Sequence, residues 1–171
     1  MRRRHPVPRL WLMTDERMGD ALWSALDRLP RGAGVVFRHY GLSQAERRAL
    51  LARVTAIARR RGLIVLAAGG LDGKDGAHNR RPRRGLHSRS VHDRRELIAA
   101  RRAGADLVFV SPVFATRSHS GGQTLGPVRL GLLIRGAERP VIALGGMTRL
   151  RARRLRCLPV HGWAGIDAWS Q

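Results

Sequence analysis

Cysteine, lysine and carboxylates are scarce in this chain of 171 residues. A single cysteine, Cys157, excludes an internal disulfide and leaves no thiol pair for zinc. Lys74 is the one lysine among 33 basic residues, and only 12 acidic residues oppose them, which gives a formal net charge of +21. Long apolar runs are also missing. No stretch approaches the roughly 20 residues of a membrane span, and the opening MRRRHPVPRLWLM holds no apolar segment long enough for a signal peptide. The expectation is a soluble cytoplasmic protein with no membrane partner. So much arginine raises nucleic acid as a partner, through release of counterions from phosphates. The arginines are scattered rather than gathered into one motif, and abundant Ala, Gly and Leu fit a genome that favours arginine codons, so nucleic acid is not the expected partner.

What is present is a core: 43% of residues are hydrophobic, enough for one domain spanning 1–171. Short apolar runs at 10–14, 34–38, 63–68, 106–111, 140–146 and 162–169 read as buried strands, and 76–79 and 85–91 supply two weaker ones. Amphipathic helices fill several gaps. Residues 43–61 open with Ser43 and Glu46 at capping-box spacing and carry Leu50, Leu51, Val54, Ile57 and Ala58 on one face. Asp93 and Glu96 open another, 18–29 gives a third, and 127–136 and 148–156 are weaker candidates.

Strand and helix in alternation predict parallel strands joined by crossovers. Eight such strands predict an α/β fold, a parallel (β/α) TIM barrel with its site at the C-terminal ends of the strands, an open doubly wound sheet being the alternative. The barrel must be shortened, because such folds typically need about 250 residues. GGLDGKDG and RRPRRG are too short for packed helices, and only a short tail follows the eighth strand. Connecting helices are therefore expected to be missing around strands 3–5 and after strand 8, with a second copy of the chain, as a homodimer, completing the wall.

In that frame Arg38 ends the second strand, Ser90 and His92 the fifth, and Gly145–Gly146 the seventh, while Asp167 lies near the end of the eighth. Thr116, Ser118 and His119 follow the sixth strand. Thr116 and Ser118 offer hydroxyl donors, and glycines at 145 and 146 let a backbone approach an anion. His119 titrates near neutrality and can move a proton. His87 and His92 lack a supporting carboxylate or thiol, so capping or packing is the expected role of both, and no metal ligand is assigned. Arg80, Arg81, Arg83 and Arg84 form a solvated basic loop that could steer phosphorylated ligands.

LWLMTD, VVFR, DGAH, the Ser-x-His of the fifth strand, AGADLVFVSPVFATRSHSGG, PVIALGG and GWAGIDAW follow one another in an order that resembles the thiamine phosphate synthase and thiazole tautomerase family. The resemblance spans nearly the whole chain, thins at 69–85, and is most specific at SPVFATRSH with the downstream ALGG. It implies an eight-stranded α/β barrel of thiamine biosynthesis. In the family's synthases, polar residues of the second strand hold a pyrimidine diphosphate; the corresponding positions here are Val36, Arg38 and Tyr40, so only the arginine is kept. Synthases also hold magnesium on carboxylates after the third and fourth strands, where this chain has Ala67–Ala68 and Arg80–Arg81, with Asp72 and Asp75 in the adjoining loop. Magnesium is thus implied only for a synthase. After the sixth strand His119 stands where synthases keep lysine, and the tautomerase branch uses a histidine in that loop. The Gly145–Gly146 turn matches the family's thiazole-phosphate cradle. The resemblance therefore implies, first, a thiazole-phosphate-binding enzyme with tautomerase-like proton transfer by His119. The alternative is a synthase that couples hydroxymethylpyrimidine diphosphate to thiazole phosphate, and a third reading is a non-catalytic basic barrel that binds phosphorylated ligands or nucleic acid.

Overall fold

A computed structural model describes residues 6–116 and 123–169. Eight strands pair in parallel, in sequence order, and the last pairs back onto the first: β1 (Leu10–Met13), β2 (Gly34–Phe37), β3 (Ile64–Ala67), β4 (Gly76–His78), β5 (Leu86–Val91), β6 (Leu107–Val110), β7 (Val141–Ala143) and β8 (Gly162–Gly165). The barrel closes within one chain, with no strand required from a second copy.

Alternation along each strand divides the side chains between two environments. Trp11, Met13, Val36, Ile64, Leu66, Leu107, Phe109, Ile142 and Ala164 fill the barrel interior. Their neighbours in sequence, such as Leu12, Val35, Phe37, Val65, Val108 and Val110, pack outward against helices. Trp11 fixes the floor. Its ring meets Phe109 edge-on at 5.2 Å, and its Nε1 donates to the Pro8 carbonyl at 2.8 Å. The indole takes the space a side chain at Gly34 would need, since a Cβ there would stand 2.1 Å from the Trp11 ring.

Among the described residues five α-helices cover the outside: α1 (Ala21–Arg28), α2 (Gln44–Arg61), α3 (Arg94–Arg102), α4 (Gly126–Ile134) and α5 (Arg149–Arg153). Helix α2 begins at a complete capping box, Ser43 Oγ accepting from Glu46 N–H while the Glu46 carboxylate accepts from Ser43 N–H, and ends at Gly62 in the left-handed region. Asp93 caps α3 and Thr148 caps α5 in the same side-chain-to-backbone manner. The shortened barrel expected from the sequence is the one observed: no helix lies between β3 and β4 or between β4 and β5.

Three boundaries differ from expectation. The helix expected at 18–29 starts at Ala21, because Glu16–Met18 forms a 3-10 turn that ends on Gly19 at φ 47°. The helix expected at 148–156 stops at Arg153. The run 162–169 is strand only to Gly165; Asp167–Trp169 then turns into a 3-10 helix. That turn stacks Trp169 on Trp163 at 5.3 Å and lets its Nε1 donate to the Trp11 carbonyl at 3.2 Å.

Candidate active site

The C-terminal ends of the strands open into a cavity of about 940 Å³. Arg38 follows β2, His78 ends β4, Ser90 lies at the end of β5, Thr116 follows β6, and Gly145–Gly146 follow β7; all of them line it. The structure thus brings together Arg38, Ser90, Thr116, Gly145 and Gly146 around one cavity. Ser118 and His119 lie outside the described residues, as does the side chain of Asp167.

At the β2 wall, Arg38 is held by β1. Its Nε donates to the Thr14 carbonyl at 2.9 Å, and its Nη2 pairs with Asp15 at 3.1 Å. Among the described residues no hydrogen bond is seen for Nη1, and Arg38 lines the cavity. Burial pulls the guanidinium below its usual value, and the Asp15 carboxylate opposes that. Hydrogen bonds from Arg17 in turn hold Asp15 below the usual carboxylate range. Beneath this wall, the buried guanidinium of Arg47 donates to the carbonyls of Arg38, Ala68 and Gly69 at 2.6 to 2.9 Å, closing the ends of β2 and β3. His39 sits at φ 41°, stacked on Phe37, with its Nδ1 3.0 Å from Thr14 Oγ1.

The β4–β5 wall is a network of neutral hydrogen bonds. His78 Nδ1 lies 2.9 Å from Ser88 Oγ, and Nε2 lies 3.1 Å from Ser90 Oγ. Asn79 Nδ2 donates to the same Ser90 oxygen at 3.2 Å, and Asn79 Oδ1 accepts from Ser90 N–H at 2.7 Å. Asn79 reaches this position at φ 59°, a conformation asparagine tolerates. Burial, with the nearby Arg38 charge adding to it, pushes the His78 imidazole down to about 3. It is therefore neutral near pH 7, able to donate at one nitrogen and accept at the other. The sequence alone assigns His78 no role in the site. The available signal was its place two residues after Gly76, on the inward side of a short strand.

His92 has the capping role: its backbone N–H and its Nδ1 both meet Glu96 Oε2, at 2.7 and 2.8 Å. His87 points to the outer layer and is buried there. Burial lowers its pKa.

Opposite, the β6 and β7 loops are packed into one unit. Phe114 N–H donates to the Gly145 carbonyl at 3.0 Å, and Arg151 Nη1 donates to the carbonyls of Gly146 and Ala115 at 2.5 and 3.4 Å. The Arg151 guanidinium also lies over the Phe114 ring. Gly145 and Gly146 adopt φ of 94° and 58°. A Cβ on Gly146 would stand 2.2 Å from the Ala115 carbonyl oxygen. Glycine is required here by conformation and by close approach together. Arg149 and Arg151 were not singled out in the sequence, since an arginine-rich helix gives no cue to which members face a cavity.

Magnesium, which the resemblance implies for a synthase, finds no donor set here. Asp72 is paired with Arg80 at 2.5 Å; Asp75 accepts from Val65 N–H at 2.7 Å and pairs with Lys74 at 3.0 Å. Both carboxylates are thus engaged by neighbouring protein groups, Asp75 by β3 and Lys74 and Asp72 by the loop after β4. Among the described residues no cluster of three or more potential ligands occurs.

A model of the thiamine monophosphate synthase family matches residues 76–169. The chain belongs to this family. Over shorter stretches it is similar to curated thiamine-phosphate synthases, at 30% identity over 79 residues for that of Pyrococcus furiosus and 39% over 70 residues for that of Leuconostoc citreum. These matches take in 46% and 40% of this chain and only 38% and 33% of the relatives, so they span less than half the length of either relative. In three dimensions the chain resembles thiamine phosphate pyrophosphorylase from Pyrococcus furiosus, with a TM-score of 0.78 at 20% identity, covering 95% of this chain and 88% of that one. That likeness concerns the fold. Among the described residues no helix is long and apolar enough to cross a membrane.

Proposed function

We propose that this family member is a transferase that joins hydroxymethylpyrimidine diphosphate to thiazole phosphate, giving thiamine phosphate and diphosphate. One observation carries the reading: the cavity has cationic or donor groups on two opposed walls, Arg38 on one and Arg149, Thr148 and Thr116 beside the glycine pair on the other. Two anionic substrates that must meet end to end need two such poles. The family match and its curated synthases support coupling ahead of the isomerisation that His119 suggests in the sequence.

In the reaction the bond between the pyrimidine methylene carbon and its oxygen breaks. Its electron pair leaves with diphosphate, and the thiazole nitrogen supplies the pair for the new carbon–nitrogen bond. Arg38 is placed to stabilise the leaving charge in a partly buried site, where such contacts gain strength. The neutral His78, with Ser90 and Asn79, offers donors and acceptors suited to an uncharged heteroaromatic ring. Gly145 and Gly146 let the thiazole phosphate approach the backbone closely.

The second reading rests on the lack of a carboxylate among the described residues that line the cavity, which leaves proton transfer on a thiazole carboxylate phosphate as the competing activity. Incubating purified protein with each substrate set, and following products by mass spectrometry, separates the two. Thiamine phosphate is the expected product. Isomerisation alone, abolished by His119→Asn, would reverse the assignment.

A further inference from the structure

We infer that the cavity holds a diphosphate on guanidinium groups, without a divalent cation. The diphosphate's identity rests on the coupling reading; the cation-free site does not. Among residues with described side chains, three arginines and no carboxylate line the cavity. A magnesium ion bound with diphosphate needs carboxylate oxygens from the protein. Asp15 is occupied by Arg17 and Arg38, Glu16 by Gly41 N–H, Asp72 by Arg80, and Asp75 by Val65 N–H and Lys74. Freeing Asp75 would also break a backbone bond of β3, so recruiting it for a metal undoes part of the barrel.

The charges present suit the anion directly. Arg38 is fixed by two acceptors in β1 and the turn after it, and its fork geometry matches phosphate oxygens. Arg149 lines the other wall with no protein partner among the described residues. Arg47 adds a further buried charge behind Arg38, held there by three carbonyls. A free divalent cation approaching this mouth meets repulsion from Arg38, Arg149 and Arg151, the charged residues with described side chains that line it.

Titration calorimetry with inorganic diphosphate tests this, once in buffer containing a chelator and once with millimolar magnesium. Binding is expected in the chelator, with no gain on adding magnesium. Arg38→Gln should weaken it at least tenfold and Arg149→Gln about threefold or more. Arg60→Gln removes the same charge from the last turn of α2, at the opposite end of the barrel, and should leave affinity within twofold. Arg149 is an exposed residue, so its variant remains informative should Arg38→Gln fail to fold. Binding only with magnesium, no binding in either buffer, or equal losses in all three variants would overturn the inference. Because the readout is binding, a protein that fails to make thiamine phosphate yet takes up diphosphate in chelator refutes the coupling reading alone.

Discussion

His78 shows how much one residue's surroundings decide. On the surface it would titrate near 6.5, whereas inside this barrel it is pushed down to about 3. The unfolded chain therefore binds a proton that the folded one refuses between those values. Stability contributed by this group is intact above about pH 6.5 and is lost as pH falls towards 3, by up to ~1.4 kcal/mol per pH unit. His39 and His87 are also lowered by burial and act in the same direction. Urea unfolding of His78→Asn should show a flatter acid limb, by about one proton, than the parent between pH 6 and 4; an unchanged slope would contradict the assignment. Gly34 gives a steric counterpart. With a Cβ only 2.1 Å from the Trp11 ring, Gly34→Ala must displace the floor of the barrel. We expect a loss of about 1–3 kcal/mol or more, read from the same urea curves.

At the scale of elements, the two loops over the site behave as one because Arg151 ties them. Arg151→Met removes donors to Gly146 and Ala115 and the stacking on Phe114. KM for thiazole phosphate should rise about tenfold with little change in kcat, and Arg151→Lys should restore part of it; equal kinetics in both variants would rule out this positioning role. Helix α2 offers a simpler case: Ser43→Ala removes half of its capping box and should cost about 1 kcal/mol, measured as a lower Tm. These caps were legible in the sequence because they depend on residues three apart. The strands were legible for the same reason, as short apolar runs bounded by glycine, proline or charge. The end of β8 was not. Its largely apolar run continues through Trp169, yet the chain leaves the sheet after Gly165 and Trp169 stacks on Trp163. Nor was the engagement of Asp72 and Asp75 legible, since it depends on Val65 N–H and Arg80 across the folded loop.

For the whole molecule, the trimmed wall and a short basic loop meet at one end of the barrel. Trimming around β4 leaves a short basic loop beside the mouth, and a net charge of +21 surrounds it. Such a field speeds the arrival of multiply charged anions and is screened by salt. The order of strands placed Arg38, Ser90, Thr116 and the glycine pair on one rim before any coordinates, because a parallel barrel sends every strand's C-terminal end to the same face. What sequence order could not supply was the pairing state of each charge, and that decides which groups are free to meet a substrate.

The most direct measurement is the coupling rate of purified protein with both phosphorylated substrates, compared among the parent, Arg38→Gln and Arg60→Gln. The account predicts thiamine phosphate from the parent, a fall in kcat/KM of a hundredfold or more for Arg38→Gln, and near-parental turnover for Arg60→Gln. No thiamine phosphate from the folded parent, or equal activity in Arg38→Gln, would contradict it.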